Sequence, residues 1–88
     1  SPKFLGYSVS NGLPTFRWKV EDFHIEETIT PTADGKALSR SFDIKGAKGK
    51  YPITVKFQSS EKLSVSKESQ TLKGPGRLTV TMIPRHDP

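Results

Sequence analysis

From Gly12 to Val20 apolar and polar residues alternate with a period of two. Phe16, Trp18 and Val20 fall on one face of a strand, and Thr15, Arg17 and Lys19 on the other. Trp18 is the single tryptophan of the chain. Fully burying an indole and a phenyl ring contributes about 1.5–3 kcal/mol each, so the core is expected to be built over this face. Truncating Trp18 to Ala is accordingly expected to cost about 3–5 kcal/mol. The segment Lys3 to Val9 alternates in the same way, with Leu5, Tyr7 and Val9 on one side, and ends in Ser10-Asn11-Gly12. Asn-Gly favours a two-residue type I′ turn, because both residues tolerate positive φ. That turn sets Ser10 opposite Leu13, Tyr7 opposite Phe16 and Leu5 opposite Trp18, which gathers the apolar residues of both strands on one face. Pro14 stands at the start of its strand, where a missing N–H is tolerated.

Beyond a turn at Glu21-Asp22, Phe23 to Thr30 presents Phe23, Ile25 and Ile29 against His24, Glu26 and Thr28. A turn centred on Asp34-Gly35 leads into Lys36 to Lys45, with Leu38, Phe42 and Ile44 inward. The register this implies puts Ile25 opposite Ile44, Glu27 opposite Phe42 and Ile29 opposite Arg40. Glu27 and Arg40 then become diagonal neighbours on the apolar face, within reach of a partly buried ion pair. After the glycine-containing stretch from Gly46 to Lys50, Tyr51, Ile53, Val55 and Phe57 share one face. Ser59-Ser60-Glu61 predicts a hairpin pairing Phe57 with Leu63 and Val55 with Val65. Gly74-Pro75-Gly76 predicts another between Thr71-Leu72 and Arg77 to Ile83, with Leu78, Val80 and Met82 inward. The chain contains no helical window and no internal repeat. It reads as an all-β, antiparallel, immunoglobulin-like β-sandwich of seven or eight short strands. An open barrel is the alternative.

At 88 residues the chain makes one domain, which buries only about 60–65% of its unfolded surface. It begins Ser1-Pro2-Lys3 without an initiator methionine and ends Pro84-Arg85-His86-Asp87-Pro88. It therefore reads as a module of a longer protein, with linkers at 1–3 and 84–88 around a domain at 4–83. The absence of cysteine removes disulfides, thiolate metal sites and redox thiols from consideration. No run approaches the roughly 20 apolar residues of a membrane span, so membrane insertion is not expected. Fourteen Lys and Arg against nine Asp and Glu give a net charge of +5. That sign suits nucleic acid, an anionic polysaccharide or an acidic protein partner without choosing among them. The densest basic cluster, Lys45, Lys48 and Lys50, lies in a loop where lysines ordinarily serve solvation.

Nothing in the sequence has the spacing of a catalytic site. His24 and His86 are far apart and read as surface residues without metal-ligand spacing. Glu26 and Glu27 are adjacent on a strand and point to opposite faces, and Glu21 and Asp22 fall in a turn. No serine stands in a nucleophile-elbow context. Gly74-Pro75-Gly76 precedes no helix and is not a phosphate loop. No cofactor of its own is expected. Among aromatics able to stack on a sugar or base, Tyr7, Trp18 and Tyr51 fall on the apolar faces and read as core. Phe4 is the exception, because the hairpin register sets it beside Lys19 and near Arg17 on the opposite face. Phe4, Arg17 and Lys19 are therefore the candidate ligand- or partner-binding residues, and docking of a neighbouring domain is the simplest use of such a mixed face.

Phe4-Leu5-Gly6-Tyr7, Gly12-Leu13-Pro14-Thr15-Phe16-Arg17-Trp18, Ile25-Glu26-Glu27 and Asp34-Gly35-Lys36-Ala37-Leu38-Ser39-Arg40 together form a pattern. It resembles the small β domain of large secreted bacterial proteins that also carry c-type haem and sugar-dehydrogenase-like domains. The resemblance covers residues 4 to 40, and beyond them the chain matches only as generic strands. It implies a non-catalytic accessory domain in a periplasmic or extracellular protein concerned with electron transfer or carbohydrate oxidation. Its partners would be neighbouring domains of the parent chain, a c-type cytochrome domain among them. The chain has no Cys-x-x-Cys-His, so any haem would belong to a neighbour. Carbohydrate binding is the alternative function. Nucleic-acid binding is a third and less favoured one.

Overall fold

The computed structural model describes residues 2–46 and 49–85, and it is all-β. Among the described residues eight strands follow one another: β1 (Lys3–Ser10), β2 (Leu13–Val20), β3 (Phe23–Pro31), β4 (Leu38–Gly46), β5 (Ile53–Lys56), β6 (Leu63–Val65), β7 (Ser69–Leu72) and β8 (Gly76–Pro84). They form two antiparallel sheets, one of six strands in the order β1-β2-β3-β4-β8-β6 and one of two, β5-β7. The small sheet lies over the apolar face of the large one, giving a sandwich of unequal layers.

The first four strands form a meander whose register follows from its turns. Asn11 and Gly12 take φ of 54° and 75°, the positive values a type I′ turn demands, and Ser10 pairs with Leu13 and Tyr7 with Phe16. The β3–β4 register sets Ile25 opposite Ile44, Glu27 opposite Phe42 and Ile29 opposite Arg40, as the Asp34-Gly35 turn requires. That turn is braced by the Thr32 hydroxyl, which donates to Asp34 Oδ1 at 2.6 Å, and by the Thr32 N–H bonded to the Ala37 carbonyl.

The β1–β2 register departs from expectation at one residue. Phe4, not Leu5, lies opposite Trp18, and the next pair is Gly6 with Arg17. Leu5 is thus the extra residue of a β-bulge, which Gly6 accommodates with a φ of 126° that side-chain-bearing residues rarely adopt.

The C-terminal half pairs differently from both expected hairpins. β5 pairs with β7, setting Ile53 opposite Leu72 and Val55 opposite Gln70, while β6 pairs with β8, setting Val65 opposite Met82. Neither the Phe57–Leu63 and Val55–Val65 pairing nor the β7–β8 ladder forms. The serines do make a turn: Ser60 Oγ accepts from the N–H groups of Lys62 and Leu63, and Ser59 Oγ from that of Val65. This turn carries the chain from the small sheet to the edge of the large one instead of folding it back. The Gly74-Pro75 segment likewise returns the chain from β7 to the large sheet, where β8 lies between β4 and β6.

The core lies between the layers. Phe23, Ile44, Leu78 and Val80 are its buried apolar residues, and Tyr51, Ile53, Val55 and Leu72 pack down on it from the small sheet and its approach. Tyr51 meets Phe23 edge-on, with centroids 5.7 Å apart, and its hydroxyl donates to the Gly46 carbonyl at 3.0 Å. Gly46 closes β4 with a φ of 87°, and a Cβ there would stand 2.7 Å from the backbone oxygen of Asp22. Gly46→Ala is therefore expected to destabilise by about 1–3 kcal/mol, measured by chemical denaturation. An unchanged midpoint would show that the β2–β3 turn yields freely.

Candidate functional site

The bulge divides the three residues expected to act together. Phe4 turns to the apolar face and lies against Trp18, with ring centroids 4.9 Å apart and planes at 58°. Arg17 and Lys19 stay on the polar face, opposite Glu26 and His24 of β3. A combined Phe4, Arg17 and Lys19 patch therefore does not form. The residues belong to two different surfaces, one apolar and one basic.

The apolar surface exists because the two-stranded layer is narrower than the sheet beneath it. β5 and β7 pack over β3, β4 and β8, and the face of the β1–β2 hairpin is left open. Among the described residues, Phe4, Tyr7 and Val9 are exposed on it, Tyr7 to 64%, whereas Leu13, also exposed, has the parity of Thr15, Arg17 and Lys19 and belongs to the opposite face. Tyr7, expected in the core, is thus a surface residue, whose ring lies 6.2 Å from that of Phe16. Trp18 is half-buried, beneath Phe4 at the margin of the core. The missed signal was positional. β1 begins a meander and ends as a sheet edge, and an apolar face at an edge is covered only if a second layer reaches it.

Between this open face and the small sheet runs a groove of about 330 Å³, lined by Trp18, Ile25, Phe42 and Val55, with Glu27 and Arg40 on its wall. Glu27 is buried, and its Oε2 accepts from Arg40 Nε at 2.8 Å and Nη2 at 2.6 Å. The guanidinium carbon also stands 5.0 Å from the centre of the Phe42 ring. The expected diagonal ion pair is thus present, and Arg40 already satisfies the carboxylate. As the pair stands, its chemistry is structural.

On the polar face, Arg77 donates to both oxygens of Asp43, at 2.8 and 2.9 Å. These hydrogen bonds hold the Asp43 carboxyl below the usual carboxylate range, and the charges of Arg77 and Lys45 act in the same direction. Arg17 lies 3.9 Å from Glu26 in a looser pair. Of the two histidines, His24 is exposed on this face, and His86 lies outside the described residues, as does Lys48 of the loop cluster. Among the described residues no group of three or more His, Cys, Asp or Glu is placed to hold a metal ion, and no helix is long and apolar enough to cross a membrane.

Comparison with protein-family models, curated proteins and solved structures finds no match.

Proposed function

We propose that this is a non-catalytic interaction domain of a larger exported protein, and that its β1–β2 face docks against a neighbouring domain of the same chain. The observation that carries this reading is the exposure of Phe4, Tyr7 and Val9 side by side on that one face. A contiguous apolar surface is costly to leave in water and marks a place where another surface belongs. The hairpin has the character of an interface core, with aromatic residues and a single charge, Lys3, in the whole of β1. The resemblance of residues 4 to 40 supplies the setting: a c-type haem or sugar-dehydrogenase-like neighbour in a periplasmic or extracellular protein.

Amide hydrogen exchange on the isolated domain and on the longer protein tests this. Backbone amides of β1 and β2 are expected to exchange markedly more slowly in the longer protein. Tyr7→Glu combined with Val9→Asp should abolish that added protection while leaving the isolated domain folded, since both side chains already face water. Equal exchange in the two proteins would remove the docking reading.

Carbohydrate binding is the second reading, favoured by the open aromatic strip of Phe4, Trp18 and Tyr7, on which a pyranose ring can stack. Saturable NMR shifts along that strip with neutral oligosaccharides would select it over docking.

A further inference from the structure

Three rows of side chains cross the polar face of the large sheet, and they differ in how their charges are paired. Thr15, Thr28, Ser41 and Thr79 form a neutral row. Beside it, Arg17, Glu26, Asp43 and Arg77 stand in register and cancel one another's charge through two ion pairs. The third row is Lys3, Lys19, His24 and Lys45, taken from β1, β2, β3 and β4 in turn, each directly opposite the next. All four are exposed.

The third row contains no carboxylate. Among the described residues the ion pairs are Arg17–Glu26, Arg40–Glu27 and Arg77–Asp43, and no member of this row takes part. Its acidic neighbours are otherwise engaged or lie beyond it. Asp43 is held by Arg77, Glu26 lies nearest Arg17, and Glu21 and Asp22 form the β2–β3 turn. Like charges placed directly opposite on neighbouring strands repel. The adjacent row shows how the same sheet neutralises such positions when it does so. With strands about 4.8 Å apart, the four basic groups make a strip roughly 14 Å long running across the strands.

We propose that this strip binds an anionic polysaccharide, whose carboxylate or sulfate groups lie along the three ammonium groups and the imidazole. A flexible polyanion suits an open row of exposed lysines better than a compact anion, which needs converging donors. The aromatic side chains argue against single-stranded nucleic acid. Phe4, Tyr7, Phe16, Trp18, Phe23 and Phe42 all project to the opposite face, so the basic face offers bases no ring on which to stack. The strip is also independent of the docking proposal, because a domain seated on the apolar face leaves it open.

The test is an NMR titration of the isotope-labelled domain with four probes: a heparin-derived octasaccharide, an oligogalacturonate, neutral cellohexaose and oligothymidylate. Saturable shifts at Lys3, Lys19, His24 and Lys45 are expected with the sulfated or the carboxylated glycan, weakening as salt is raised, and none with cellohexaose. The two anionic arms identify which group is preferred. The triple variant K3A/K19A/K45A should lose at least about tenfold in affinity, whereas the charge-matched K56A/K62A/K67A should lose less than about twofold. If the first triple fails to fold, K19Q/K45Q replaces it, with the same direction of change expected. Equal losses in both triples would reduce the effect to net charge and overturn the proposal. Tighter binding of oligothymidylate than of either glycan at the same residues would reassign the strip to nucleic acid. Absence of saturable shifts with both glycans would also overturn it.

Discussion

Replacing Arg40 by Ala is expected to lower the unfolding free energy by about 3–5 kcal/mol, a large part of the roughly 4–13 kcal/mol available to a domain of this size. The reason lies in what remains. The Glu27 side chain is only 8% exposed, and its cross-strand neighbours are Phe16 and Phe42. Without the guanidinium, its carboxylate would be left among apolar groups with no cation. The reverse truncation, Glu27→Ala, should cost less. Arg40 is 31% exposed, reaches water and keeps its position over the Phe42 ring. Replacing both residues with apolar ones, Glu27→Met with Arg40→Leu, should recover most of the loss, because the pair itself contributes less than the penalty for breaking it. Urea denaturation of the three variants decides the matter. A value for Arg40→Ala within about 1 kcal/mol of the parent would show that Glu27 is solvated in the folded protein.

Phe23→Ala is expected to cost a similar 3–5 kcal/mol, and more than Trp18→Ala. Periodicity singles out Trp18, but the structure moves the centre of the core two strands along. Phe23 is 9% exposed, packs with Ile44 and Leu78, and has Tyr51 edge-on against its ring. Trp18 sits at the margin, with Phe4 on one side and the open groove on the other. Its truncation should therefore cost about 1–2 kcal/mol, the part of its burial that is complete. Thermal melts of the two variants compare them directly. A larger loss for Trp18→Ala would return the tryptophan to the centre of the core.

The meander was legible because short turns fix register. Asn11-Gly12 and Asp34-Gly35 each specify which residues face one another, and the Glu27–Arg40 diagonal follows without further information. The Leu5 bulge was also written in the chain, as a glycine at position 6 inside an otherwise alternating strand, a frequent mark of an irregular ladder. Overlooking it moved Phe4 to the wrong face and joined it to Arg17 and Lys19. It also hid the basic row, since the register without a bulge does not bring Lys3 opposite Lys19. The second half failed for a different reason. Alternation in β5 and β6 says which side of each strand faces the core, but a strand facing the core from above and one facing it from below have the same pattern. Ser59-Ser60 and Gly74-Pro75 make true turns, and whether a turn folds back or crosses between layers depends on contacts distant in sequence.

The position of β8 gives the order of synthesis a particular weight. This strand is inserted between β4 and β6, and it supplies Leu78 and Val80, two of the four buried apolar side chains among the described residues. On the ribosome, the four-stranded meander is complete when Gly46 emerges, yet the edge of β4 has no partner until the strand beginning at Gly76 arrives. At ordinary elongation rates those roughly 30 residues take about 2–6 s. Throughout that interval Phe42 and Ile44 stand on an unsealed strand, open to pairing with another nascent chain. The domain thus closes from its C-terminal end, and a ribosome stalled before Gly76 would release a sheet with an adhesive edge.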